Sequence, residues 1–380
     1  MSVPTTRHQY SEADYSDFVH VGPESLAGQY LRRFWHPICM SREIEPGHAR
    51  KVRLLGTDFT LYRGEGGVPH LVDLRCAHRG AQLWTGWVEG DCIRCMYHGW
   101  KYDGIGRCVD QPAEDPRLAQ KIKIPGYPIE DYLGLVFAYV GPGEAPPLPR
   151  YSVFDRPGHK LRHVSFIGGY SYVQNLENLV DPVHAVFTHR SFFDRTGAAM
   201  APVKAERSRW GITISRAGIG QGVSQLGMPN VFQIGGALAT PGALSTVWIV
   251  PIDDETHRFY SVRSSPDHDA LGGDLDEPDP PLHVLNDSIM AGETRLKDYE
   301  DKLSPIYFQL LQDIVIQSSQ GITADRSRER LGRSDKGIAL LRRLWRNELQ
   351  ALAEGRPLTA WEWTPELTKM DDWHWDEAGE

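Results

Sequence analysis

Cys76-Ala77-His78 and Cys95-Met96-Tyr97-His98 place two thiols and two imidazoles in one short stretch, with sixteen residues between the two motifs. Each motif mixes a soft ligand with a borderline one. That mixture suits a [2Fe–2S] cluster in which two cysteines hold one iron and two histidines hold the other. A structural Cys₂His₂ zinc site is the alternative, but such sites commonly pair cysteine with cysteine and histidine with histidine. Arg79-Gly80 and Gly99-Trp100 follow the histidines and supply the tight turns that let two side chains converge on one centre. Tyr97 and Trp100 are expected to keep water from the cluster, with Tyr97 a hydrogen-bond candidate. Cys92-Ile93-Arg94-Cys95 has no second C-x-x-C to pair with, so Cys92 is read as a non-ligand.

A second constellation follows in Asn178-Leu179-Val180-Asp181-Pro182-Val183-His184-Ala185-Val186-Phe187-Thr188-His189. Two histidines and a carboxylate suit a 2-His-1-carboxylate Fe(II) site, which leaves open positions for O₂ and substrate. A satisfied polar cluster without metal is the alternative. His184 and His189 do not share a helical face, so a helix over Tyr172–His189 must end or distort between them. Asp181 is either the metal carboxylate or the partner that orients a ligand histidine. Asp313, in the apolar run Leu310-Leu311-Gln312-Asp313-Ile314-Val315, lies either on a solvent face or at the metal.

These side chains need elements to hold them. Residues 1–35 read as an N-terminal extension with a short helix near Leu26–Phe34. Residues 36–141 are strand-rich, with β-type runs at Val52–Tyr62, Val68–Leu74 and Leu135–Val140 and an Asp103-Gly104 hairpin signal. Residues 142–150, rich in proline, read as a stiff linker. In residues 151–380, strands are expected at Val164–Ile167, Trp210–Ser215, Leu244–Ile252 and Phe259–Ser264. Helices are expected at Tyr172–His189, Pro305–Ser319 and Gly337–Ala353, the last with Ile338, Leu341, Trp345, Leu349 and Leu352 on one face. Pro266–Pro281 reads as an exposed acidic loop. The class is α+β: a small antiparallel iron–sulfur domain, then helices on an antiparallel sheet.

The totals exclude other classes. With 41% hydrophobic and 24% charged residues the composition is that of a globular protein. No apolar run reaches the ~18 residues of a membrane span, and Met1–Tyr10 lacks a signal-peptide core, so a cytoplasmic protein is expected. A net charge of −9 gives nucleic-acid binding no electrostatic support. The five cysteines, an odd number, do not read as a disulfide scaffold. No nucleotide-binding glycine motif is present, because Gly218-Ile219-Gly220-Gln221-Gly222 has the wrong spacing. Electrons from NAD(P)H therefore require a separate reductase. His36, His48, His70 and His163 read as ordinary core or surface residues. The C-terminal Trp361, Trp363, Trp373 and Trp375 read as packing groups. Gln174, Phe187, Phe192, Phe193, Trp248 and Asn286 are the pocket candidates.

Together, C-x-H/C-x-x-H, N-x-x-D-x-x-H-x-x-x-x-H and the late Asp313 resemble the oxygenase component of Rieske non-heme iron oxygenases. The resemblance covers nearly all the chain after residue 30. Gln312–Gly321, Asp325-Arg326-Ser327 and Ser334-Asp335 look most like the phthalate dioxygenase branch. The resemblance implies a Rieske [2Fe–2S] domain followed by a helix-grip, START-like catalytic domain. It implies Cys76, His78, Cys95 and His98 as cluster ligands, and His184, His189 and Asp313 as ligands of a mononuclear Fe(II). It implies Asp181 as the bridge from a neighbour's cluster histidine to His184, and Asn178 as a residue near the iron that orients substrate or oxygen. It further implies a homotrimer, an aromatic substrate, O₂, and a flavin/iron–sulfur reductase or ferredoxin as donor. The reaction expected is hydroxylation or O-/N-dealkylation. A Rieske electron carrier without oxygenase activity and a zinc-stabilised binding protein are the competing readings.

Overall fold

The computed structural model describes residues 16–362, apart from 152–153, 155–157, 159, 193–201, 217–221, 236–243 and 266–279. Helix α1 (Leu26–Leu31) is capped by Ser25, whose hydroxyl accepts from Gly28 N. The first half then runs through β1 (His36–Met40), β2 (Ala49–Leu54), β3 (Thr57–Arg63), β4 (Pro69–Asp73), β5 (Trp87–Glu89), β6 (Cys92–Arg94), β7 (Lys101–Asp103) and β8 (Cys108–Asp110). Helix α2 (Pro116–Ala119), β9 (Gly126–Tyr127), β10 (Ile129–Tyr132) and β11 (Leu135–Ala138) complete it. These strands form three small sheets, ordered β1-β11-β10, β2-β3-β4-β9 and β5-β6-β7-β8. The expected strand over Val52–Tyr62 is instead the β2–β3 hairpin. Leu55 (φ 52°) and Gly56 (φ 73°) turn it, both left-handed as a type I′ turn requires. Leucine disfavours that conformation. Here it is held in place: Leu55 N and Gly56 N donate to Pro251 O and Ile252 O of the second half, at 3.1 and 2.8 Å.

The second half is built on one antiparallel sheet. Its strands are β12 (Lys160–Gly168), β13 (Lys204–Arg207), β14 (Gly211–Arg216), β15 (Gly222–Gly227), β16 (Val231–Gly235), β17 (Leu244–Pro251) and β18 (His257–Ser265). Their order is β12-β18-β17-β16-β15-β14-β13. The side-chain alternation of strands gives this sheet two faces. Trp248 faces the first half, packing edge-on to Phe137 at 5.6 Å, with Tyr151 also edge-on to it at 5.5 Å. His257 faces the helices: its Nε2 is 2.9 Å from Asn175 Nδ2.

Helices α3 (Tyr172–Leu179), α4 (Pro182–Thr188), α5 (Leu282–Met290), α6 (Pro305–Ser318) and α7 (Lys336–Ala353) complete the fold. Helices α3 and α6 are tied side by side: Gln174 Nε2 donates to Gln317 O and Gly321 O, both at 2.9 Å. Ser171 N donates to Ile322 O at 2.7 Å. Helix α7 buries Leu341, Trp345 and Leu349, and the N-terminal segment packs on it, with Tyr30 edge-on to Trp345 at 5.4 Å. Trp361 closes over this contact, its Nε1 donating to Tyr30 Oη at 3.1 Å. No helix among the described residues is long and apolar enough to cross a membrane. Trp363, Trp373, Trp375, Phe193 and the acidic stretch Asp274–Asp279 lie outside the described residues.

Candidate metal centres

Two loops of the first half share one local design. Cys76 N donates to Ala81 O, and Gly80 N back to Cys76 O; Cys95 N donates to Trp100 O, and Gly99 N back to Cys95 O, all at 2.8 to 3.0 Å. The turn glycines are left-handed, with φ of 73° at Gly80 and 74° at Gly99, a conformation open to glycine at little cost. The result puts each cysteine on the inside and each histidine toward the surface. Cys76 and Cys95 are buried, and desolvation, with Cys76 alongside, pushes the Cys95 thiol up. The rings of His78 and His98 lie 4.5 Å apart. His78 stacks on Trp100 at 4.6 Å and 9°. His78 Nδ1 is buried with no hydrogen-bond partner among the described residues. A buried imidazole nitrogen that no protein group satisfies fits metal ligation, and the soft, buried cysteine side fits iron–sulfur chemistry.

Tyr97 departs from expectation. It is half-exposed and lies against His98 and under Arg79, whose guanidinium is 5.3 Å from the ring centroid. The hydroxyl near a cysteine belongs to Tyr102 instead, 3.3 Å from Cys76 Sγ and accepting from Ala77 N at 3.1 Å. Tyr102 belongs to none of the sequence motifs; it is the central, buried residue of β7. Strand alternation turns it inward, away from the faces of its neighbours Lys101 and Asp103.

The second centre forms where α3, α4 and α6 meet. The expected single helix over Tyr172–His189 breaks at Val180–Asp181, and Pro182 starts α4 at its first turn. Helix α4 ends with His189 as its C-cap, so His184 and His189 turn toward the same point. Asp313, two helices away in sequence, meets them from α6. One ligand atom from each of His184, His189 and Asp313 lies within 4.8 Å of the others. Asp313 Oδ1 is 3.6 Å from His184 Nε2 and 3.3 Å from His189 Nε2. Asp313 is therefore not on a solvent face.

The surroundings fix both rings. His184 Nδ1 is in short contact with the carbonyl oxygen of Asp181, and His189 Nδ1 lies 2.8 Å from Gln312 Oε1. An oxygen acceptor at each Nδ1 keeps a proton there and turns Nε2 toward Asp313. Asn178 Nδ2 sits 3.3 Å from both His184 Nε2 and Asp313 Oδ1. The Asp181 carboxylate caps α4, accepting from Val183 N at 2.9 Å. Burial alone favours the neutral forms of His189 and Asp313. Their mutual hydrogen bond and opposite charges outweigh it, raising His189 and lowering Asp313. Two imidazoles and one carboxylate on one side of a point fit an Fe(II) site with open positions.

Of the pocket candidates, Trp248 is on the far face of the sheet and Gln174 is spent on helix–helix bonds. Phe187 is 51% exposed, so it points away from the interior. Asn286 accepts from Ser318 Oγ at 2.8 Å, and Phe192 packs near Phe308 at 6.2 Å. Gln312, in contact with His189, is a member of the cluster that the sequence reading does not reach, although its place beside Asp313 is a signal.

The Rieske [2Fe-2S] domain model matches residues 34–128. The chain is 32% identical over 354 residues to the 5,5'-dehydrodivanillate O-demethylase oxygenase subunit of Sphingobium sp. (strain NBRC 103272 / SYK-6), covering 88% of this chain and 79% of that one. It is 30% identical over 370 residues to the phthalate 4,5-dioxygenase oxygenase subunit of Pseudomonas putida, covering 86% and 83%. Among solved structures, Pseudomonas putida CBB5 NdmA shares the fold, with a TM-score of 0.68 at 21% identity, covering 91% of this chain and 96% of that one.

Proposed function

Since this chain belongs to the Rieske non-heme iron oxygenases, as an oxygenase component, we propose that it oxidises an aryl acid or aryl ether with O₂. The observation that carries the reading is the His184, His189 and Asp313 triad in the same chain as a Rieske domain. When bound, the cluster and the mononuclear iron supply one-electron transfer and O₂ activation. In this reading Cys76, Cys95, His78 and His98 hold the cluster, and His184, His189 and Asp313 hold the iron. Asn178 steadies the Asp313 carboxylate and borders the open side. Asp181 fixes the His184 tautomer through its carbonyl, and its carboxylate is the bridge to a cluster histidine of a neighbouring copy.

That bridge requires a neighbouring copy, and we infer a ring of three. Exposed apolar residues beside both centres support it: Met96 and Tyr97 next to His98, and Phe187 and Ile316 one turn from His184 and Asp313. Such residues at a surface favour burial in an interface. The domain boundary in this reading is the 142–150 linker. The names of the two curated relatives, an O-demethylase and a dioxygenase, support hydroxylation or dealkylation of an aromatic compound. Both are named as oxygenase subunits, which supports a separate reductase or ferredoxin as electron donor. We also place the protein in the cytoplasm. An electron carrier alone has no use for the triad, and a zinc-stabilised binding protein does not fit the family. The test is product analysis over aromatic acids, ethers and amines with a surrogate reductase. Substrate-dependent O₂ uptake with an oxidised aromatic product is expected. O₂ uptake that no aromatic compound stimulates would contradict the proposal.

A further inference from the structure

We propose that Arg263 receives the carboxylate of the substrate and makes the protein selective for aromatic acids over their uncharged counterparts. The inference deepens the reading above and rests on it: it names the charged end of the aromatic compound and the residue that holds it.

The register of the large sheet fixes where Arg263 stands. His257 faces the helices, where Asn175 of α3 meets it. Side chains alternate along a strand, so Phe259, Ser261 and Arg263 of β18 share that face with His257. Arg162 of β12 lies opposite Arg263 on one side and Ser245 of β17 on the other, with no register shift in either pairing. The face therefore has a polar end, crossed by Arg162, Arg263 and Ser245. Four residues back, a rise of about 13 Å, the same three strands present Phe166, Phe259 and Ile249, all buried. The metal centre sits toward this apolar end. Asn175 meets His257, and Asn178, one helical turn further along α3, contacts His184 and Asp313. An aromatic acid laid along the face, its ring toward the metal centre, meets an opposite charge at the other end.

Arg263 also lacks what a buried cation needs. Its Nε is buried with no hydrogen-bond partner among the described residues. Burial, and then the like charge of Arg162, lower the guanidinium below its ordinary pKa, and no carboxylate among the described residues opposes that shift. Like charges directly opposite each other on two strands destabilise a sheet. A carboxylate accepting from Nε and a terminal nitrogen satisfies the donor and the charge together. A neutral amide brings no charge.

The test is a binding measurement, so it does not depend on turnover. Isothermal titration calorimetry of the holoenzyme with benzoate, anisate and phthalate, each against its carboxamide, is expected to show an acid bound more tightly than its amide. In Arg263→Gln that acid is expected to bind about 10–100-fold more weakly, the worth of a hydrogen bond to a charged group, while its amide binds as before. Arg263→Lys keeps the charge without the planar fork and is expected to lie between the two. Wild-type protein that binds no acid more tightly than its amide would overturn the proposal without reliance on any variant. So would an Arg263→Gln protein with an unchanged circular dichroism spectrum that keeps the acid preference. If the acid preference follows Arg263 but no aromatic compound stimulates O₂ uptake, the oxygenase reading falls and the carboxylate site remains.

Discussion

Gln312 accepts the Nδ1 proton of His189 at 2.8 Å, so one residue of α6 supports a histidine while the next, Asp313, faces its other nitrogen. Losing such a partner typically costs about 10–100-fold in metal affinity. Gln312→Ala is expected to lower mononuclear iron affinity within that range and to leave acid-labile sulfide unchanged; iron titration with sulfide analysis checks it. Asp181→Asn separates two roles. The amide oxygen still caps α4 through Val183 N, and the backbone carbonyl still holds His184. Only the negative charge is lost. Both metals are therefore expected to stay bound while turnover nearly stops, and normal turnover would refute the bridge. At this scale the sequence is informative where ligands are close together. The Cys–His motifs and the His184/His189 pair are legible from spacing. Asp313 keeps two readings open because its partners are more than a hundred positions away in the chain. Gln312 and Tyr102 are not legible, since their contacts depend on which way a side chain turns.

Helix α3 bears Asn178 and is anchored by Glu177, which takes Arg326 at 3.2 Å and Arg342 at 2.7 Å. Removing one partner of a largely buried ion pair costs about 3–5 kcal/mol. Glu177→Ala is expected to lower stability by that order, read by denaturant unfolding, because two arginines lose their shared carboxylate. Two buried histidines tie elements together as neutral rings. His36 bonds Leu31 O at the end of α1, and His257 bonds Tyr170 O before α3, at 2.8 and 2.9 Å. Burial lowers both from 6.5 to about 4. The unfolded chain therefore takes up protons first as pH falls. Stability is intact above about 6.5 and declines as pH falls toward about 4, by at most about 3 kcal/mol for each ring. Melting temperature measured across that window checks the direction; a rise on acidification would contradict it. Element boundaries are legible where apolar periodicity is strong, as in α6 and α7. Strands β13, β15 and β16 are not: Lys204–Arg207 is almost wholly polar, and the other two are short and end on glycine. The β2–β3 turn is hidden because leucine is not a left-handed signal; Pro251 O, far along the chain, holds it there.

At the scale of the molecule, the N-terminal segment and the Rieske half pack onto the second half through α7, β17 and β18. Arg258 of β18 pairs with Glu43 through both of its terminal nitrogens. The proposed ring of three copies predicts three times the chain mass of 42.8 kDa by light scattering; a monomer would contradict it. The α+β class is legible from the order of strand-rich and helical text, but the sheet faces are not. Trp248 shows why: strand register, not hydrophobicity, decides which half it meets. The most direct test of the two-centre account is iron and acid-labile sulfide per chain in protein purified without oxygen, for the wild type and for His184→Ala. The account predicts three irons and two sulfides in the wild type, and two of each in the variant. Equal iron in both proteins, or zinc without sulfide in the wild type, would contradict it.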